Sequence, residues 1–139
     1  MVKRFISRFW FQISMTKKVI YADDDILWQH AFPDAMRRFC NASKIDVSLE
    51  VVCDGKALVE KVLGEDYDLI FTDFQMPELD GIQAIVRIRE HNQTTPLYML
   101  SSSSAPEDME RALRAGATGF IPKSRYELGI EQAVNLHLR

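Results

Sequence analysis

The chain has 139 residues, with 17 basic against 20 acidic side chains, a formal net charge of −3 and 47% hydrophobic residues. That length suits one domain able to bury roughly two-thirds of its unfolded surface, and it excludes a second. The balanced charge gives no general attraction to nucleic acid or anionic membranes; with no run of about 18 apolar residues and no secretory signal, a cytoplasmic protein is expected.

Residues 1–16 stand apart from the rest. Val2, Phe5, Ile6, Phe9, Trp10 and Ile13 follow a helical rhythm with Lys3, Arg4 and Arg8 on other faces, which would suit a membrane-surface or partner-docking helix. The preferred reading is plainer. Met15 opens MTKKVIYADDD like an ordinary start, so the preceding segment is expected to be a disordered extension or the product of an upstream start, with the folded domain at 17–139.

From Lys17 onward strand-like and helix-like segments alternate, which argues for an α/β fold with a parallel sheet. Val19 to Ala22 reads as the first strand, followed by a helix from about Ile26 to Cys40 with a bend expected near Gln29 to Pro33, because a proline inside a helix removes a hydrogen bond. Ser48 to Cys53 is the second strand, and Gly55 to Leu63 a helix with Ala57, Leu58 and Val62 on one stripe. Asp68 to Thr72 is the third strand. Ile82, Ile85, Val86 and Arg89 mark the next helix, which stops before Thr95 because Pro96 follows. Leu97 to Leu100 is the fourth strand, Glu107 to Ala115 a helix ended by Gly116, Gly119 to Ile121 the fifth strand, and Glu127 to Leu138 the closing amphipathic helix.

Four acids fall at the carboxyl ends of two of these strands: Asp23, Asp24 and Asp25 after VIYA, and Asp73 after DLIFT. The carboxyl edge of a parallel sheet is where α/β folds bind ligands. Carboxylates gathered there repel one another and raise one another's pKa, whereas a hard divalent cation such as Mg2+ favours oxygen ligands and keeps them ionised. A metal is therefore implied. A carboxylate beside such a cation can attack a phosphoryl group to give an aspartyl phosphate, and Asp73, alone at its strand end, is placed for that role while Asp23 and Asp24 hold the metal. The remaining phosphoryl oxygens need a hydroxyl and a cation. Ser101 follows LYML at the end of the fourth strand, and Lys123 follows GFIP at the end of the fifth. Within the SSSS run, Ser101 is preferred to Ser102. Cys40 and Cys53 show neither metal spacing nor disulfide density and are read as structural thiols; His30, His91 and His137 show no metal spacing.

From about Lys17 to the end, these residues resemble the receiver domain of two-component response regulators. The acidic pair Asp23 and Asp24, the acceptor Asp73, and DFQMPELDG with Met76-Pro77 and Asp80-Gly81 carry the resemblance, together with Ser101 and Lys123. It implies a flavodoxin-like (βα)5 fold with strand order 2-1-3-4-5, and Mg2+ held by Asp23, Asp24, Asp73 and the main-chain carbonyl of Gln75. Ser101 becomes the switch hydroxyl, Phe120 the aromatic that changes rotamer, and Lys123 the partner of the phosphoryl oxygen. The family commonly follows that lysine with a proline in a cis peptide; here Ser124 occupies the position, and a trans bond is expected.

The resemblance implies a stand-alone response regulator, not a separate enzyme, phosphorylated by a histidine kinase or phosphotransfer protein. Its signalling face would comprise the fourth helix, fifth strand and fifth helix, through which a homodimer is also conceivable, and no output domain or nucleic-acid contact is expected. Two rivals are a phosphorylation-independent adaptor with a receiver fold and a haloacid-dehalogenase-type phosphohydrolase built on Asp23 and Asp25. The second lacks a further acidic motif after Lys123 and leaves Asp73 unexplained.

Overall fold

In the computed structural model, which describes residues 16–139, strands and helices alternate without exception. Strands β1 (Lys17–Ala22), β2 (Val47–Val52), β3 (Leu69–Asp73), β4 (Leu97–Ser101) and β5 (Gly119–Pro122) are interleaved with helices α1 (Ile26–Ser43), α2 (Gly55–Gly64), α3 (Gly81–His91), α4 (Pro106–Ala115) and α5 (Tyr126–His137). All neighbouring strands pair in parallel, in the order β2-β1-β3-β4-β5. This is the doubly wound fold that the sequence implies. The segment before Thr16, with both readings made of it, lies outside the described residues.

The sheet is covered on both faces, so its central strands carry apolar runs rather than alternation. Every residue of β3 is buried. Along β1, Val19 and Tyr21 enter one core with Phe32 and Met36 of α1 and Ile130 and Val134 of α5, while Ile20 and Ala22 enter the other with Leu58 of α2, Ile85 of α3 and Ala112 of α4. Each large side chain so buried contributes about 1.5–3 kcal/mol. The topology also positions the acids: β1 and β3 are adjacent and Ala22 pairs with Thr72, which sets Asp23 beside Asp73 at one edge.

Several details depart from expectation. Helix α1 runs through Pro33 to Ser43, past the end expected at Cys40, and Pro33 lies among its buried residues. In α3 the buried stripe is Gly81, Ala84, Ile85 and Ile88, and Val86 faces solvent. Of the stripe read from Ile82, Ile85, Val86 and Arg89, Ile85 is buried, Ile82 and Arg89 are half-buried, and only Val86 falls outside it. Cys40 is buried, as a structural thiol should be, but Cys53 is exposed. His30 and His91 are exposed, and His137 pairs with the Tyr98 hydroxyl at 2.6 Å. Gly116 ends α4 with φ 119°, a conformation that favours glycine.

Gly81 ties this scaffold to the acids. Its N–H donates to the Phe74 carbonyl at 2.8 Å, and a Cβ there would sit 2.3 Å from the Asp73 carbonyl oxygen and 2.9 Å from Met99 Cε. Alanine normally gains about 1 kcal/mol over glycine within a helix. Here the clash with a backbone oxygen should outweigh that gain, so Gly81→Ala is expected to lower stability by roughly 1–3 kcal/mol. A urea midpoint at or above that of the wild type would contradict this.

Candidate functional site

Two strand ends and the loop after each assemble the acidic site. Asp23 is fully buried: its Oδ1 accepts the Asp25 N–H at 2.9 Å, and its Oδ2 accepts both the Tyr21 hydroxyl and Lys123 Nζ, the latter at 3.1 Å. Lys123 Nζ also reaches Asp73 Oδ1 at 2.9 Å, and Asp24 is exposed beside them. One oxygen from each of Asp23, Asp24 and Asp73 lies within 4.8 Å of the others.

The donor set consists of carboxylate oxygens alone, which suits a hard divalent cation. Three carboxylates and one ammonium leave a formal charge of −2, which such a cation would cancel. The electrostatics agree with that deficit. Burial, reinforced by the charge of Asp23, outweighs the pull of Lys123 and pushes the Asp73 carboxyl from 3.8 up to about 6. Burial and the hydrogen bond to Asp23 push the Tyr21 phenol well above its ordinary value, so its hydroxyl remains a donor.

Lys123 is almost as enclosed as the acids, at 9% exposure. It opens a short 3₁₀ turn, Lys123–Arg125, that leads into α5, and its peptide to Ser124 is trans. Its ammonium lies 4.6 Å from the centre of the Trp28 ring, and Trp28 packs edge-on against Tyr126 at 4.9 Å.

Of the remaining residues singled out from sequence, Ser101 is buried at the end of β4 and lines the same cleft as Asp73 and Lys123, its Oγ accepting the Ser103 N–H at 3.0 Å. Ser102 is exposed on the cleft rim. Gln75 is exposed on the loop after β3 and also lines the cleft. Phe120 is half-buried against the core shared by α2, α3 and α4, away from the residues that line the cleft.

Asp25 departs from the group of four acids. Its Oδ1 accepts the Leu27 N–H at 2.9 Å and caps α1. An Asp directly before an apolar helix is an N-cap signal in its own right, and that signal was present in the sequence. Tyr21 and Trp28 are the neighbours that sequence reasoning missed. Tyr21 is found only by noting that a phenol two residues before Asp23 lies on the same face of the strand. Trp28 had no signal, because its contact crosses from α1 to the end of β5.

The described residues contain no helix long and apolar enough to cross a membrane. The family model of the response regulator receiver domain matches residues 19–135. A gliding motility regulatory protein of Myxococcus xanthus is 42% identical over 86 residues, covering 60% of this chain and 11% of that protein. A two-component response regulator of Arabidopsis thaliana, described as putative, is 38% identical over 117 residues, covering 83% of this chain and 18% of that protein. The chain thus spans a small part of these relatives' length. In fold it resembles the receiver domain of the sensor histidine kinase PA1611 of Pseudomonas aeruginosa, with a TM-score of 0.77 at 21% identity over 88% of this chain and 98% of that one; that structure has a magnesium ion coordinated in its active site cleft. With its acids, hydroxyl and lysine gathered at one sheet edge and the family model matched across nearly all the folded residues, the chain belongs to the response regulator receiver domain family.

Proposed function

We propose that residues 17–139 form a cytoplasmic receiver that takes a phosphoryl group on Asp73 from a histidine kinase or phosphotransfer protein and passes the signal on through the face made by α4, β5 and α5. The observation that carries this reading is the Lys123 ammonium bridging Asp23 and Asp73 beside a carboxylate cluster open to the cleft. A homodimer through the same face is compatible with it.

Asp23, Asp24, Asp73 and the main-chain carbonyl of Gln75 would hold Mg2+, as the magnesium of the Pseudomonas receiver suggests. Bound there, the cation supplies charge neutralisation for the phosphoryl oxygens and keeps the acids ionised. The Asp73 carboxylate oxygen attacks phosphorus and forms the new P–O bond. The P–N bond to the donor histidine breaks, its electron pair stays on the imidazole nitrogen, and that nitrogen takes up a proton. Lys123, already 2.9 Å from Asp73, meets a phosphoryl oxygen, and Ser101 offers its hydroxyl to another. Asp23 is a poor nucleophile for a hydrolase, since it is fully buried and both its oxygens already accept hydrogen bonds.

Incubation with acetyl phosphate and Mg2+ should add one phosphoryl group, mapped by peptide mass to Asp73. Asp73→Asn should abolish it, and Lys123→Met should slow it by roughly 10- to 1000-fold. Labelling at Asp23, or undiminished labelling of Asp73→Asn, would overturn the reading.

The raised pKa of Asp73 gives a pH test. Between its unfolded value and about 6 the native protein binds a proton that the unfolded chain has released; the associated stability is present at low pH and lost as pH rises through 6. Without divalent cations, Asp73→Asn should therefore be more stable than wild type at pH 8, by on the order of 1–3 kcal/mol, with the advantage shrinking towards pH 4. Parallel thermal melts check this; an advantage that grows on acidification would contradict it.

A further inference from the structure

The lysine that bridges the two acids has a third neighbour with no assigned purpose. Its ammonium carries three N–H donors; one points to Asp23 Oδ2 at 3.1 Å and another to Asp73 Oδ1 at 2.9 Å. The Trp28 ring lies 4.6 Å from the same nitrogen, within the range of a cation–π contact. Trp28 comes from the first turn of α1, immediately after the Asp25 cap, and is itself only half-buried. The indole packs against the core that α1 shares with α5, and its ring covers one side of the ammonium.

We propose that Trp28 is a positioning residue of the phosphoryl site, whose ring holds the Lys123 ammonium against Asp73 and shields it from solvent. This rests on the receiver reading of that site. A further observation supports it. The ring is held by the segment that carries the lysine: Tyr126, three residues after Lys123 and the first residue of α5, packs against Trp28 edge-on, with centroids 4.9 Å apart and an interplanar angle of 87°. Lysine, ring and backing ring therefore form one unit across α1 and the turn before α5.

The chemistry of the contact also fits the task. When Asp73 accepts a phosphoryl group, the ammonium must turn from a carboxylate oxygen to a phosphoryl oxygen. A hydrogen bond donated to a fixed acceptor would have to break for that movement. The attraction of a ring face is broad in angle and distance, so Trp28 keeps hold of the cation while it shifts.

The test measures the rate of Asp73 labelling by acetyl phosphate with Mg2+ in wild type, Trp28→Leu, Lys123→Met and the double variant, all checked for folding by circular dichroism. Trp28→Leu is expected to slow labelling by about 2- to 20-fold, and Trp28→Phe, which keeps a smaller ring, by less. In the Lys123→Met background the Trp28→Leu change should have no further effect, because its route to the chemistry is gone. Equal slowing in both backgrounds, or no slowing in either, overturns the proposal.

A second readout needs neither metal nor donor. In the free protein the ring current should shift the Lys123 ε-methylene protons upfield in NMR spectra. That shift should be largely lost in Trp28→Leu and partly kept in Trp28→Phe. If wild type accepts no phosphoryl group while the shift behaves this way, the receiver reading fails and the positioning of Lys123 by Trp28 stands. Absence of the shift from wild type defeats the positioning.

Discussion

A single enclosed ammonium shared by two carboxylates sets the terms for the carboxyl edge of this sheet. Lys123 extends from the end of β5, at one margin, to Asp73 on β3 and Asp23 beyond β1, across the strands that lie between. Without that cation two buried carboxylates would face one another in a medium that penalises each alone. With it the pair is held, but not neutralised. Burial lifts the Asp73 carboxyl to about 6 against the pull of Lys123, and the charge of Asp23 adds to the rise.

That constraint explains features that would otherwise look incidental. Tyr21 is buried between β1 and α1, stacked on Phe32 at 3.9 Å, and directs its hydroxyl to the Asp23 oxygen that Lys123 also contacts. Phe32 meets Phe71 edge-on at 4.9 Å, so the core between β1, β3 and α1 fixes the direction in which the phenol points. Asp25 anchors the beginning of α1 while its N–H holds the other oxygen of Asp23, and Gln29 Nε2 donates to the Asp23 carbonyl at 2.9 Å. The first two turns of α1 are thus both a helix start and a frame for one carboxylate. The α1–α5 layer serves the site as much as it covers the sheet.

The fold was legible because both faces of the sheet are buried: β3 reads as a continuous apolar run, and the alternation of such runs with helical stripes leaves few topologies. Asp23, Asp73, Ser101 and Lys123 were legible for a related reason, each directly following or ending a strand, where the sheet itself fixes the position. What the sequence hid was direction and contact at distance. Asp25 looked like its two neighbours until its oxygen was seen to turn back to Leu27. Val86 is exposed where Ile85 and Ile88 are buried, because the edge of the α3 stripe is fixed by how the helix packs on the sheet and not by periodicity. Trp28 meets Lys123 across 95 positions of sequence, and only the packing of α1 against the end of β5 brings them together.

The loop between β4 and α4 shows how an event at Asp73 would be felt beyond it in the proposed switch. Ser101 Oγ accepts the N–H of Ser103 at 3.0 Å, and Ser103 Oγ accepts the N–H of Ala105 at 3.1 Å. These two bonds form a short ladder to the N-terminus of α4, where Ala105 provides no side-chain cap. Because Ser101 Oγ only accepts from Ser103, its own O–H is free to donate to a phosphoryl oxygen, and the Ser103 N–H bond would carry any shift of the side chain into the loop. Any inward movement therefore pulls on the start of α4, a helix whose first turn has no cap of its own to resist. Phe120 is half-buried where β5 meets the core beneath α2, α3 and α4. In the proposed switch the coupling from acid to surface would need no long relay: it would run through one hydroxyl, one loop of hydrogen bonds and one helix end.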